Sequence, residues 1–280
     1  MPTSAVPTEV EHAVADLVGD AEARTPLGGM SGRVVLAVRG RRDVVVKGPV
    51  QASEAAVAGA LGARLRRHGV PVPVPLDVVS TATQGTWLVL EYLPDPLPRH
   101  RWGADPAALA LLSRLHHVPA RVLDTLTGRY LPRWDDEMTV AASAVVELGA
   151  HEGLLRRLQE RWRAATAAGR VVSGDPNPLN WRLSGDGEPI LLDWERLTLA
   201  SPALDLAIML PGLPTPSQAT AIARAYERAG GDVVDGTEVL VAKVFTVLEL
   251  AAAATPGSAA FDAVRGVAPD LSRWMGDAFG

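Results

Sequence analysis

The run Leu93-Pro-Asp-Pro-Leu-Pro splits the chain into two regions that cannot share one architecture. Proline fixes φ and removes a backbone donor, so neither a helix nor a central strand can cross such a run. Before it, short apolar stretches alternate with turn residues. Arg33-Val-Val-Leu-Ala-Val-Arg and Asp43-Val-Val-Val-Lys47 read as two strands about a tight turn, with Pro75 to Ser80 and Thr86 to Glu91 as a second pair. Thr25 to Gly32 reads as a flexible turn. Helical spacing covers residues 8–20 and then a stretch from about Glu54 to His68, with Ser53 as its expected cap, Val57, Leu61 and Leu65 on one face, and Gly69-Val-Pro-Val-Pro as its stop. After the proline run the pattern turns helical, with helices predicted at Pro106–His117, Thr139–Ala150, Glu152–Ala168, Ala203–Leu210, Ser217–Ala229, Thr237–Ala253 and Ala259–Phe279. The expectation is an α+β chain in two lobes: residues 1–92, small and β-rich with one long helix, and residues 93–280, larger and mostly helical.

At 280 residues the chain is long enough to bury a substantial core. A net charge of -5 argues against a nucleic-acid partner and is compatible with a cationic substrate. The absence of cysteine excludes disulfides, thiolate catalysis and cysteine-held zinc. The amino terminus has neither a basic start nor a long apolar run, so no signal peptide is expected. The most apolar stretch, Val239 to Ala254, contains Lys243 and Glu249 and is too short to span a bilayer. A cytoplasmic protein with no membrane association follows as the expectation.

Chemistry concentrates in Val171-Val-Ser-Gly-Asp-Pro-Asn-Pro-Leu-Asn, followed by Pro189-Ile-Leu-Leu-Asp-Trp-Glu. Asp175 precedes Asn180 by five residues, and Asp193 closes the next apolar run. This order suits phosphoryl transfer: one carboxylate orients a hydroxyl, while an amide oxygen and a second carboxylate hold magnesium. Glu195 could add a metal contact but reads more readily as solvated or in an ion pair. Lys47 and Lys243 are the only lysines among 27 basic residues, so a lysine at a strand end, with Glu54 seven residues on, suggests a phosphate contact held by a carboxylate. Gly28, Gly29 and Gly32, with Ser31 between them, allow a loop whose backbone N–H groups approach phosphates, or an ordinary hairpin turn. The backbone of Glu91 and Leu93, at the joint, could hold a purine. Asp205 is expected to brace the Asp175 loop through backbone N–H groups. His116 and His117 are adjacent, point apart on a helix, and read as packing or surface residues rather than metal ligands. Asp135-Asp136-Glu137 reads equally as a helix cap or as an attractor for a cation, and Asp277 is a further acidic candidate.

Taken in order, these residues resemble the aminoglycoside phosphotransferase and choline kinase-like family, whose fold is similar to that of protein kinases. The resemblance runs through the glycine loop, Lys47, Glu54, Gly69-Val-Pro-Val-Pro, Trp87-Leu-Val-Leu-Glu-Tyr-Leu-Pro, Leu111-Leu-Ser-Arg-Leu-His, the Asp175 loop, Leu192-Asp-Trp-Glu and Ser201-Pro-Ala-Leu-Asp-Leu-Ala. It implies Asp175 as the catalytic residue, Asn180 and Asp193 as magnesium ligands, Lys47 on the phosphates of ATP with Glu54 as partner, and the Glu91 and Leu93 backbone on adenine. One departure stands out: Ser173 occupies the place where the family usually has histidine, and serine is expected to take over part of that residue's hydrogen bonding.

The function so implied is Mg-ATP-dependent transfer of phosphate to a hydroxyl of a small polar, cationic molecule, an aminoglycoside or cationic peptide antibiotic. The alternatives are a metabolic kinase for choline, homoserine or a sugar, and a nucleotide-binding pseudokinase. A monomer or homodimer is expected.

Overall fold

The computed structural model describes residues 6–28, 33–148, 151–167 and 169–280. Helix α1 (Thr8–Val18) leads into five strands, β1 (Ala23–Pro26), β2 (Val34–Arg39), β3 (Val44–Gly48), β4 (Pro75–Thr81) and β5 (Gly85–Glu91). They form one antiparallel sheet in the order β1-β2-β3-β5-β4. Val10, Val14 and Val18 of α1 recur at helical spacing and pack with Val38, Val44, Val46, Trp87 and Val89 into a small core of their own. Strand β1 overlaps the start of the segment expected to be a turn, at Thr25 and Pro26. All four of its residues are exposed, so no alternation of apolar and polar side chains marks it, and it forms because β2 offers an edge to pair with.

The long helix expected from Glu54 to His68 is two helices, α2 (Ala52–Ala58) and α3 (Ala60–Arg67), broken at Gly59. The two turns approach so closely that a Cβ at Gly62 would lie 1.9 Å from the Val57 carbonyl oxygen, a contact only glycine permits. Ser53 is not the cap. Gln51 holds that position without a side-chain bond, and Ser53 sits inside the first turn with its hydroxyl committed elsewhere. The apolar faces of α2 and α3 join the larger core, which they share with Leu109, Leu111, Leu112 and Leu115.

Beyond the proline run come α4 (Pro106–His116), α5 (Asp136–Ser143), α6 (Glu152–Ala167), α7 (Ala203–Met209), α8 (Pro216–Arg228), α9 (Gly236–Ala253) and α10 (Ala259–Phe279). Helix α5 starts three residues earlier than expected because Asp135 accepts the Met138 N–H, and it ends at Ser143. Between α6 and α7 lie two short hairpin-like pairs: β6 (Arg170–Val172) with β9 (Thr198–Ala200), and β7 (Trp181–Leu183) with β8 (Pro189–Leu191). The Asp175 loop leaves β6 and returns through a 3-10 turn at Pro178–Asn180 into β7, and Asp193 follows β8. The molecule thus has a β-sheet amino-terminal region and a helical carboxy-terminal region, with the chemistry-bearing loops where they meet.

Candidate active site

Four segments converge at that meeting place. On β3, Lys47 stands opposite Val35 in the ladder and points toward α2. Its Nζ lies 2.6 Å from Glu54 Oε1 and 3.2 Å from Asp193 Oδ2, so a lysine from the sheet, a glutamate from α2 and an aspartate from the loop after β8 form one buried ionic cluster. Burial alone would lower the Lys47 ammonium, but the facing Glu54 and Asp193 carboxylates raise it overall, and the lysine keeps its charge. Burial raises the Glu54 carboxyl, and Lys47 pulls it back only in part.

Asp175 and Asn180 meet directly. The Asn180 side-chain amide donates to the Asp175 carbonyl at 3.1 Å and to Asp175 Oδ2 at 3.2 Å. The amide oxygen of Asn180 is therefore the atom left to face a cation. Enclosure of the Asp175 carboxyl pushes its pKa up to about 6; Arg196 pulls the value down, while Asp193 and Glu195 push it further up.

The loop carrying Asp175 is braced from behind. Asp205, in the first turn of α7, accepts the Ser173 N–H and the Gly174 N–H, each at 2.9 Å. His116 at the end of α4 donates from Nε2 to Asp205 at 3.0 Å, and its Nδ1 accepts from the Tyr226 hydroxyl of α8 at 2.7 Å. His116 is thus a buried bracing residue. Its neighbour His117 sits half-exposed 3.5 Å from Asp232, so the two histidines share no ligand site. Gly174 has φ +76°, and a Cβ there would lie 2.3 Å from the Arg196 carbonyl oxygen. The expectation that the Ser173 hydroxyl replaces part of histidine's hydrogen bonding is corrected: its Oγ is buried without a partner among the described residues, and Ser173 contributes only its backbone.

Several of the contacts here carried no signal in the sequence. Arg33 ion-pairs with Glu195, and Ser53 Oγ donates to the Glu195 carbonyl at 2.7 Å, so Glu195 is paired and not solvated. Arg196 donates to Glu249 of α9 and to the Tyr130 hydroxyl, and its guanidinium lies 4.2 Å above the Tyr130 ring. Each links residues more than fifty positions apart, and neither spacing nor periodicity reports such contacts.

The remaining candidates divide. Gly29, Ser31 and Gly32 lie outside the described residues. Glu91 ends β5 paired with Val44, and the Leu93 N–H and carbonyl make no backbone hydrogen bond among the described residues, which leaves both able to meet a base edge. Asp135 is engaged as the α5 cap and by Arg133, and Asp136 accepts from Gln159. Asp277 is an exposed residue of α10. A cavity of about 570 Å³, lined by Arg161, Trp162, Asp235, Thr237, Glu238 and Val241, opens at the far end of α9 from Glu249. None of its lining residues belongs to the Lys47, Glu54 and Asp193 cluster.

Magnesium fits the carboxylates gathered here. Glu54, Asp193 and Glu195 each bring a carboxylate oxygen within 4.8 Å of the others, and such hard oxygen ligands suit magnesium.

The chain is similar in structure to a spectinomycin phosphotransferase solved with ADP and spectinomycin (13% identity, 98% of each chain covered, TM-score 0.64). It is similar also to a choline kinase from Streptococcus pneumoniae (16% identity, 95% of this chain and 97% of that one, TM-score 0.63). A macrolide 2'-phosphotransferase from Brachybacterium faecium aligns as well (19% identity, 92% and 96%, TM-score 0.59). At these identities the likeness shows the fold. No curated protein matches in sequence. Residues 22–238 match the model of the phosphotransferase enzyme family, and the chain belongs to that family.

Proposed function

We propose that this phosphotransferase moves phosphate from Mg-ATP to a hydroxyl of a small polar, cationic molecule, and that the acceptor is an antibiotic of the aminoglycoside or cationic peptide class, so that the protein confers resistance. Residues 1–92 form the nucleotide-binding lobe and residues 93–280 the catalytic and substrate-binding lobe. Asp175 takes the acceptor hydroxyl, orients it and accepts its proton. Lys47, held by Glu54, meets the phosphates. Asn180 and Asp193 supply oxygen ligands for magnesium, which when bound offsets phosphate charge. The Glu91 and Leu93 backbone holds adenine, and Gly29 and Ser31 cover the phosphates. Catalysis is then mostly positioning and preorganised charge.

The observation that carries this reading is the joining of Lys47, Glu54 and Asp193 in one ionic cluster, with Asp175 bonded to Asn180 beside it. Among the described residues no helix is long and apolar enough to cross a membrane, which accords with a cytoplasmic site of action.

Expression in a susceptible bacterium, beside the Asp175→Ala variant, tests the reading. Resistance to one antibiotic class, lost in the variant with ATP binding retained and turnover down by roughly a thousandfold or more, supports it. ADP release with choline, homoserine or a sugar but with no antibiotic would replace the acceptor class, and near-normal turnover in the variant would remove Asp175 from its role.

A further inference from the structure

Arg33 is unaccounted for by the roles above. It immediately precedes β2, two residues before Val35, and Val35 stands opposite Lys47. Side chains alternate along a strand, so Arg33, Val35 and Lys47 share one face of the sheet. On that face Arg33 reaches the ionic cluster: it pairs with Glu195 and lies 3.9 Å from Glu54 Oε2. That oxygen is buried and has no hydrogen-bond partner among the described residues. The guanidinium therefore bonds one carboxylate oxygen of Glu195 and falls outside hydrogen-bond reach of Glu54. Only 16% of its side chain is exposed.

Arginine presents a planar fork suited to phosphate oxygens, whereas Lys47 is a point charge already engaged by two carboxylates. We propose that Arg33 is a second phosphate-binding cation of the nucleotide site, held by Glu195 until a polyphosphate enters the cleft. The proposal rests on the reading of the site as a nucleotide site. Glu195 has two hold points of its own, the Arg33 side chain and the Ser53 hydroxyl, so release of Arg33 leaves Glu195 anchored to α2 through its carbonyl. The exchange replaces one charge-assisted pair with another, and its direction depends on how many phosphate oxygens the incoming ligand offers.

The experiment is calorimetric titration of the full chain with adenosine, AMP, ADP and ATP, with and without magnesium, in the wild type and in Arg33→Gln, Arg33→Lys and Glu195→Gln, each checked by circular dichroism. Arg33→Gln is expected to weaken ADP and ATP by about tenfold or more while leaving adenosine unchanged, as loss of a charge-assisted bond requires. Arg33→Lys should recover part of that loss. Glu195→Gln should tighten ATP in the absence of magnesium, since Arg33 is no longer held. If Arg33→Gln weakens adenosine and ATP equally, or neither, the Arg33–Glu195 pair is a structural clasp and the proposal falls while the nucleotide site stands. If the wild type binds none of the four, both readings fall together.

Discussion

In the proposed mechanism Asp175 meets two requirements that conflict in water: it must be ionised to accept a proton, and enclosed enough to hold a hydroxyl in place. Enclosure brings its pKa to about 6, close to where a general base works best. The sign for activity is direct. The carboxylate form is the active one, so kcat/KM should rise as pH increases through about 6, and a profile flat from pH 5 to 8 would remove Asp175 as the titrating group. The sign for stability is opposite. A carboxyl whose folded pKa is raised favours the protonated fold, so its contribution is greatest below the ordinary value of 3.8 and declines as pH rises from there to about 6. At this scale the grouping of Asp175 with Asn180, and of Asp193 with Lys47, was legible because phosphoryl transfer asks for fixed residue types at short spacing. Lys47 stood out because it is one of only two lysines in an arginine-rich chain and sits at a strand end. The partners of Glu195 were not legible: Arg33 carried no signal, and the pairings with Arg33 and Ser53 join residues 162 and 142 positions apart.

The helix pair α2–α3 decides where Glu54 stands. Hydrophobic spacing of Val57, Leu61 and Leu65 was readable, but the break at Gly59 was not, because periodicity continues across it and one glycine does not mark a stop. Nor did the pattern reveal that this face belongs to the larger core. Gly62 is the position on which the arrangement turns. A methyl group there meets the Val57 carbonyl at 1.9 Å, so Gly62→Ala must push α2 and α3 apart. The expected cost is about 2 kcal/mol or more in urea unfolding, with weakened ADP binding as Glu54 shifts from Lys47. An unchanged midpoint would mean that the break absorbs the methyl group. Strand β1 escaped prediction because it is an exposed edge made by its neighbour; the start of α5 is set by Asp135, in the acidic run offered as a helix cap, although periodicity placed the helix from Thr139.

Across the whole molecule two ionic clusters stand on either side of the loop between Asp193 and Arg196. One, with Lys47, Glu54 and Asp193, ties it to the sheet and α2; the other, with Arg196, Tyr130 and Glu249, ties it to α9 and the segment before α5. The clusters share no side chain, so they should respond separately. Glu249→Gln is expected to lower kcat/KM for the acceptor severalfold and to reduce stability by about 1 kcal/mol, the side chains being partly exposed and screened. ADP affinity should stay within about twofold of the wild type, since Glu249 touches none of the nucleotide-side residues. A large loss of ADP affinity would show instead that the loop transmits strain from one cluster to the other. The two-region architecture itself was legible, because the shift from alternating to helical spacing coincides with the proline run.

The bracing of the Asp175 loop has a consequence for how this protein fails on heating. Ser173 and Gly174 hang from Asp205, which is fixed by His116, which is fixed by Tyr226, so α4, α7 and α8 must all be in place for the loop to hold its shape. Such a loop has no private melting transition. The Ser173 and Gly174 amides should exchange with deuterium as slowly as the core of α9, and catalytic activity should disappear at the same temperature as the helical circular dichroism signal rather than some degrees below it.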